Sequence, residues 1–375
     1  CFFSINAHKI ASHGGNRIFV SKLTYKFATP ERWDVMVFKY PLADITCKDC
    51  GYVMFDTRWV EGLRCEKCGS TRLKYKRKNY IKRLVGLSDE EILIKSGDIF
   101  INGTVAKKPP DTQNDLWIPV YNNAYTPKKV VVPAWNFDGQ YWNNDKDSLL
   151  LDVSQEGGKT SFATFTRKIL DNYPYNNMAG SNVVGDLRLK TSLTIQRGSG
   201  GVFLVIERDQ DIFQAYIPVQ GTGEKCSLKR SGETLAEADA HLLPGRRHEV
   251  EFSHVDGTLW VMLDEKQVLS YDYGSDNQDY GKRLSDSGIE IGGRGVACRF
   301  NNIEIFRDIY YNSDLTSGHW AVREPVKTGK GEYFVLGDNS INSKDSRVWK
   351  FVHGDDVVGK AFFVFWPLSG TKVIR

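Results

Sequence analysis

Between Val130 and Arg307, strand-like runs recur about every 10–15 residues, each closed by turn-forming residues. The runs are Ser148–Val153, Asp186–Gln196, Gly201–Glu207, Ile212–Val219, Arg247–His254, Thr258–Leu263, Lys266–Tyr273, Ile289–Gly292 and Ala297–Phe306. Asp256-Gly257 sits between two of them, the pair that a two-residue hairpin turn selects. Many short strands without a helical period predict an antiparallel sandwich or jelly roll. An aromatic content of 12% with 34 glycines agrees with β-structure rich in turns.

A second constraint comes from cysteine. Four of the seven cysteines form Cys47-Lys-Asp-Cys50 and Cys65-Glu-Lys-Cys68, with fourteen residues between the pairs. Each pair can turn two thiolates toward one tetrahedral ion, and Gly51 and Gly69 follow as a tight knuckle prefers. Two disulfides or four free thiols are the other readings, and the paired spacing and odd total argue against them. Structural zinc held by Cys47, Cys50, Cys65 and Cys68 is therefore expected, in a ribbon spanning about residues 44–72, with no position open for catalysis. Cys226 and Cys298 either pair across the sandwich or stay free.

The first 110 residues around this ribbon also read as short strands: Arg17–Leu23, Asp34–Phe38, Asn79–Val85 and an alternating Glu90–Gly103 stretch that reaches Asn102-Gly103, a hairpin signal. Strands return at Glu332–Leu336 and Val357–Pro367. The expected fold class is all-β: a domain made of residues 1–126 and 311–375, interrupted by the ribbon and by a sandwich over 127–310. A net charge of +4 gives no electrostatic reason to expect nucleic acid. No run of apolar residues is long enough to cross a membrane as a helix.

Four segments, taken together, resemble the boxes of type I signal peptidases. Phe334-Val-Leu-Gly-Asp-Asn-Ser-Ile-Asn-Ser-Lys-Asp-Ser-Arg347 matches the last of them, and Tyr80-Ile-Lys-Arg-Leu-Val-Gly-Leu87 the one that carries the catalytic lysine. Arg32-Trp-Asp-Val-Met-Val-Phe-Lys-Tyr-Pro41 matches a third, with Trp33 where the family has glycine, and Gly15–Lys22 resembles the strand entering it. The four occur in the family's order. The ribbon and the sandwich are departures from its usual pattern.

The resemblance implies a serine endopeptidase with a Ser/Lys dyad that removes signal peptides from exported preproteins at small-residue (Ala-x-Ala) sites. It makes Lys82 the general base, Ser343 the serine that orients its amine, and Asp338, Asn339, Asp345 and Arg347 the scaffold of the site. Ile81 is expected to bind substrate. Lysine can act as a base only if burial lowers its pKa from about 10.4. No Ser-x-Ser-Met-x-Pro-Thr box for the nucleophile occurs in residues 1–14, where Ser4 and Ser12 lack the flanks. A chain beginning at Cys1, without that box and without a membrane anchor, is expected to be truncated at its N-terminus. The missing segment would supply both, placing the catalytic domain on the outer (periplasmic) side of a bacterial cytoplasmic membrane. The alternative is an inactive homologue that displays a glycan- or protein-binding sandwich.

Arg247–Tyr273 resembles the central meander of laminin-G or concanavalin-like sandwiches. That resemblance leaves a glycan or protein ligand open, with Trp135, Tyr141, Trp142, Tyr173 and Tyr175 as candidate stacking residues or as plain packing.

Overall fold

The computed structural model of the chain describes residues 17–374 except 76, 126–131, 146, 174–178, 275–280 and 314–317. Cys1, Ser4, Ser12 and Tyr175 lie outside the described residues. The fold is all-β, with short helices at Thr24–Phe27, Pro110–Leu116 and Ser346–Trp349. The chain forms two compact units, Cys1–Asp115 with Tyr311–Arg375, and Leu116–Tyr310. The second unit starts before residue 127 because Ile118–Asn122 is a strand that pairs with Ser287–Arg307.

In the first unit the strand order is Arg17–Ser21, Val357–Trp366, Val35–Lys39, Asn79–Gly86, Glu332–Leu336 and Val352–His353. Strands from both ends of the chain thus interleave in one sheet. Val35–Lys39 lies in its interior and is buried on both faces. Met36 and Phe38 pack with Leu84, Val335 and Trp349, while Val35 and Val37 pack with Ala361 and Val364. This two-sided burial explains an uninterrupted apolar run where a half-exposed strand would alternate. The Glu90–Gly103 stretch forms two strands, Glu91–Lys95 and Asp98–Ile101, and Asn102 and Gly103 turn the chain into Thr104–Val105 with φ of 51° and 81°.

The second unit is built on two long antiparallel strands, Leu187–Arg208 and Ser287–Arg307. The sequence suggests two shorter strands in place of each. The glycines between them form bulges within a continuous ribbon, with register shifts at Ile195/Arg197 and Gly198/Gly201. A Cβ on Gly200 would meet the Arg294 carbonyl oxygen at 1.7 Å, so only glycine lets the two backbones approach there. On its other edge, Leu187–Arg208 pairs first with Arg247–Val255 and then with Asp211–Pro218. One strand therefore serves two sheets and crosses between them at the bulges. Asp256 and Gly257, both at positive φ (47° and 73°), close the hairpin of Arg247–Val255 and Thr258–Leu263. The core between the sheets contains Leu204, Ile206, Phe252, Val261, Ile291 and Phe300 among others.

Candidate active site and metal centre

Lys82 lies on Asn79–Gly86, directly opposite Met36 of Val35–Lys39. Strand alternation turns its side chain away from Ile81, which is 37% exposed on the other face. Glu332–Leu336 flanks the other edge, pairing with Arg83, Leu84 and Gly86. It leads into the polar loop beginning at Gly337, and this loop returns Ser343 to the lysine. Lys82 Nζ donates to Ser343 Oγ at 2.7 Å. Burial pushes the Lys82 pKa down and the Arg347 charge adds to this, against the opposing pull of Asp345 and Asp338. The result is an amine displaced toward its neutral form with a hydroxyl at hydrogen-bond distance.

Gly337 makes that contact possible. A Cβ there would sit 2.1 Å from Ser343 Oγ and 2.9 Å from Lys82 Nζ. The glycine is needed for space, since its φ lies outside the left-handed region.

The loop is held by a buried ion pair. Asp345 caps Ser346–Trp349 by accepting from the Arg347 backbone N–H, and it also accepts from the Gly337 N–H at 3.1 Å. The Arg347 guanidinium grips the same carboxylate through Nε (2.9 Å) and Nη2 (2.7 Å). Its remaining donors reach the Ser340 carbonyl (2.8 Å), Ser340 Oγ (3.1 Å) and the Asn312 carbonyl (2.7 Å). A buried charge with every donor satisfied is the condition under which such a pair is tolerated. Asn339 Oδ1, by contrast, is buried without a partner.

Asp338 is bonded bidentately by Arg83, with Nε to Oδ1 and Nη2 to Oδ2 both at 3.0 Å. Burial raises the Asp338 pKa, but the Arg83 charge and hydrogen bonds outweigh it and hold the carboxyl below its usual range. Sequence reasoning treats Arg83 as one of several strand charges. Its place one residue after Lys82, on the face opposite the lysine and within an apolar strand, is the signal that distinguishes it. Arg83 Nη1 also donates to the Trp33 carbonyl at 3.0 Å. Trp33 has φ of 77°, a conformation that disfavours any side chain, which accounts for the glycine expected there. Its own N–H bonds the Leu84 carbonyl at 2.7 Å, its indole N–H bonds the Lys107 carbonyl at 3.2 Å, and the ring is buried.

The four knuckle cysteines converge. Their sulfurs all lie within 4.8 Å of one another, with Cys47 to Cys68 at 3.5 Å and Cys50 to Cys65 at 3.6 Å. Four sulfurs at about 2.3 Å from a tetrahedral zinc are about 3.8 Å apart, so the donor set fits a metal and no disulfide is formed. The knuckles repeat each other: Gly51 and Gly69 both have φ of 71°, and their N–H groups bond the carbonyls of Cys47 and Cys65.

In the sandwich, Trp135 and Tyr173 are buried (5% and 3% exposed) and cannot stack on a ligand. Trp142 stacks on Phe137 and Phe300 and donates to Ser161 Oγ at 2.9 Å, and Tyr141 lies under Lys159. Cys226 and Cys298 are free, buried thiols. Burial pushes Cys226 up to about 12.

A sheet assembled from both ends of the chain thus holds a lysine amine against a serine hydroxyl. The chain belongs to the signal peptidase family, peptidase S26, whose family model matches residues 6–141 and 281–366. It is 54% identical over 130 residues to signal peptidase IB of Staphylococcus aureus (strain Mu50 / ATCC 700699), covering 29% of this chain and 64% of that protein. It is 50% identical over 44 residues to a probable signal peptidase I-2 of Synechocystis sp., covering 12% of this chain and 20% of that one. The chain thus spans less than two thirds of the length of the staphylococcal relative. Among solved structures it is similar to a Bacillus subtilis protein with a galectin-like fold, at 11% identity and a TM-score of 0.37, covering 52% of this chain and 100% of that one. Winged bean acidic lectin gives 11% identity and a TM-score of 0.37 over 50% of this chain and 98% of that one.

Proposed function

We propose that the chain carries the lysine-bearing part of a type I signal peptidase, a serine endopeptidase that removes signal peptides from exported preproteins at Ala-x-Ala sites. The observation that carries this reading is Lys82 Nζ at 2.7 Å from Ser343 Oγ, with the amine's pKa lowered by burial. The nucleophile in this reading is a serine hydroxyl. Lys82 takes its proton as the hydroxyl attacks the scissile carbonyl, then passes that proton to the leaving amine. Water, deprotonated by Lys82, releases the acyl-enzyme. Ser343 orients the amine, while Asp338, Asn339, Asp345 and Arg347 hold the loop.

The preprotein adds as a strand at Asn79–Lys82 and contacts Ile81. Among the described residues, this stretch pairs with Val35–Lys39 on one edge, and Glu332–Leu336 pairs only from Arg83 onward on the other. Zinc held by Cys47, Cys50, Cys65 and Cys68 closes the ribbon between two strands of the sheet and supplies no catalytic chemistry.

No helix among the described residues is long and apolar enough to cross a membrane. In this reading the catalytic unit works at the outer side of the cytoplasmic membrane. Phe19, Phe362, Trp366 and Leu368, between 45% and 75% exposed, give that unit an apolar, mainly aromatic surface suited to the lipid interface. The test is cleavage of an Ala-x-Ala preprotein by the full-length protein and its Lys82→Ala variant. Loss of cleavage is expected, and retained cleavage removes Lys82 from the mechanism.

A further inference from the structure

Independently of the peptidase reading, we propose that the outward side of one sheet of the second unit binds a neutral oligosaccharide, on a floor of Phe162 and Phe203 flanked by Arg294 and Glu290. Phe162, Gly292, Phe203 and Tyr216 stand in register across four adjacent strands. Their chain neighbours Ala163, Ile291, Leu204 and Ala215 belong to the core, so by alternation these four face away from it.

Two glycines shape the floor. A Cβ on Gly292 would meet the Phe162 ring at 2.5 Å, and one on Gly201 would meet the Tyr216 ring at 2.5 Å. The rings therefore lie over bare backbone. Phe203 bridges them, with centroids 5.7 Å from Phe162 and 4.7 Å from Tyr216. Phe162 and Phe203 both keep part of their surface accessible.

Polar groups of both signs are fixed around these rings. Arg294 lies over Tyr216, donates to its hydroxyl at 3.0 Å and pairs with Glu224. The Arg294 and Glu224 side chains remain 36% and 40% exposed, which leaves donors and acceptors for a ligand. Glu290 accepts from Thr164 Oγ1 at 2.6 Å. Glu207 stands on the neighbouring strand, its pKa raised by burial and by the charge of Glu290.

A sugar ring offers an apolar C–H face and an edge of hydroxyls that both donate and accept. The phenyl rings match the first, and the guanidinium and carboxylates match the second. Glu207, Glu224 and Glu290 oppose a polyanion such as nucleic acid. A protein partner needs about 800 Å² per side around an apolar centre, whereas charged groups surround this small floor.

The test is affinity electrophoresis of the full-length protein through gels containing mannan, galactan, xylan or β-glucan, with heparin as the polyanionic comparison. Retardation by at least one neutral polymer is expected. Phe203→Ala and Arg294→Ala should each weaken it by about tenfold or more. Phe203→Leu and Glu290→Gln repeat the test with smaller disturbance should either alanine variant unfold. Retardation by none of the neutral polymers, retardation by heparin alone, or binding that survives all of the folded substitutions would overturn the proposal.

Discussion

Replacing Gly337 by alanine probes the Lys82–Ser343 contact without touching either residue. The new methyl would stand 2.1 Å from Ser343 Oγ and 2.8 Å from Ser343 Cβ, where ordinary contact begins near 3.4 Å. The hydroxyl must therefore retreat by about 1 Å or rotate away. Either movement stretches a 2.7 Å hydrogen bond beyond the range in which it counts as one. A shift of that size in a catalytic arrangement costs about 10²-fold in rate. Overpacking costs about 1–3 kcal/mol of stability. Backbone strain adds nothing, because Gly337 is outside the left-handed region. The assay is kcat/KM on an Ala-x-Ala preprotein with the full-length protein, alongside Tm. Combining the change with Ser343→Gly removes the two nearest obstructing atoms and leaves only the flexible tip of Lys82 at 2.9 Å, so the alanine should cost little more in that background. Wild-type kcat/KM for Gly337→Ala would refute the reasoning, since it would mean that the Lys82–Ser343 contact is dispensable.

Other consequences can be checked independently. Because the folded Lys82 pKa lies below its unfolded value of about 10.4, the folded chain binds fewer protons across the interval between them, and stability rises with pH there. Lys82→Met should therefore raise Tm most below that interval, with the gain shrinking toward pH 10; a pH-independent gain would contradict the shift. Arg347→Met strands the buried Asp345 carboxylate and should cost about 3–5 kcal/mol by denaturant unfolding, with Asp345→Asn recovering part of it, whereas a loss below about 1 kcal/mol would show that the pair is not a desolvated one. Elemental analysis under reducing conditions should find about one zinc per chain, lost in Cys65→Ser; wild-type protein holding no metal would return the ribbon to free thiols.

Much of this molecule is readable along the chain because it depends on local chemistry. The paired cysteines and their following glycines announce the knuckles, and Asn102-Gly103 and Asp256-Gly257 announce turns that need positive φ. Lys82 and Ser343, although far apart in sequence, are legible through the resemblance of their flanking residues to one family. Other features depend on what strands meet. The position of Arg83 in an apolar strand sets it apart from its basic neighbours, but only the return of Asp338 across the sheet shows what it binds. The glycines at 198–201 and 292–295 read as turns, yet they are bulges, because only the partner strand reveals a backbone too close for a Cβ. Trp135 and Tyr173 look available for stacking, but packing closes over them, while Phe162 and Phe203 reach the outer face through register alone. Composition, turn chemistry and motif order in the sequence by itself determined an all-β chain, a four-cysteine cluster that fits a metal and membership of the signal peptidase family. Tertiary structure alone decided which charges are buried and paired, and which rings face water, because burial and pairing depend on atoms contributed by distant segments.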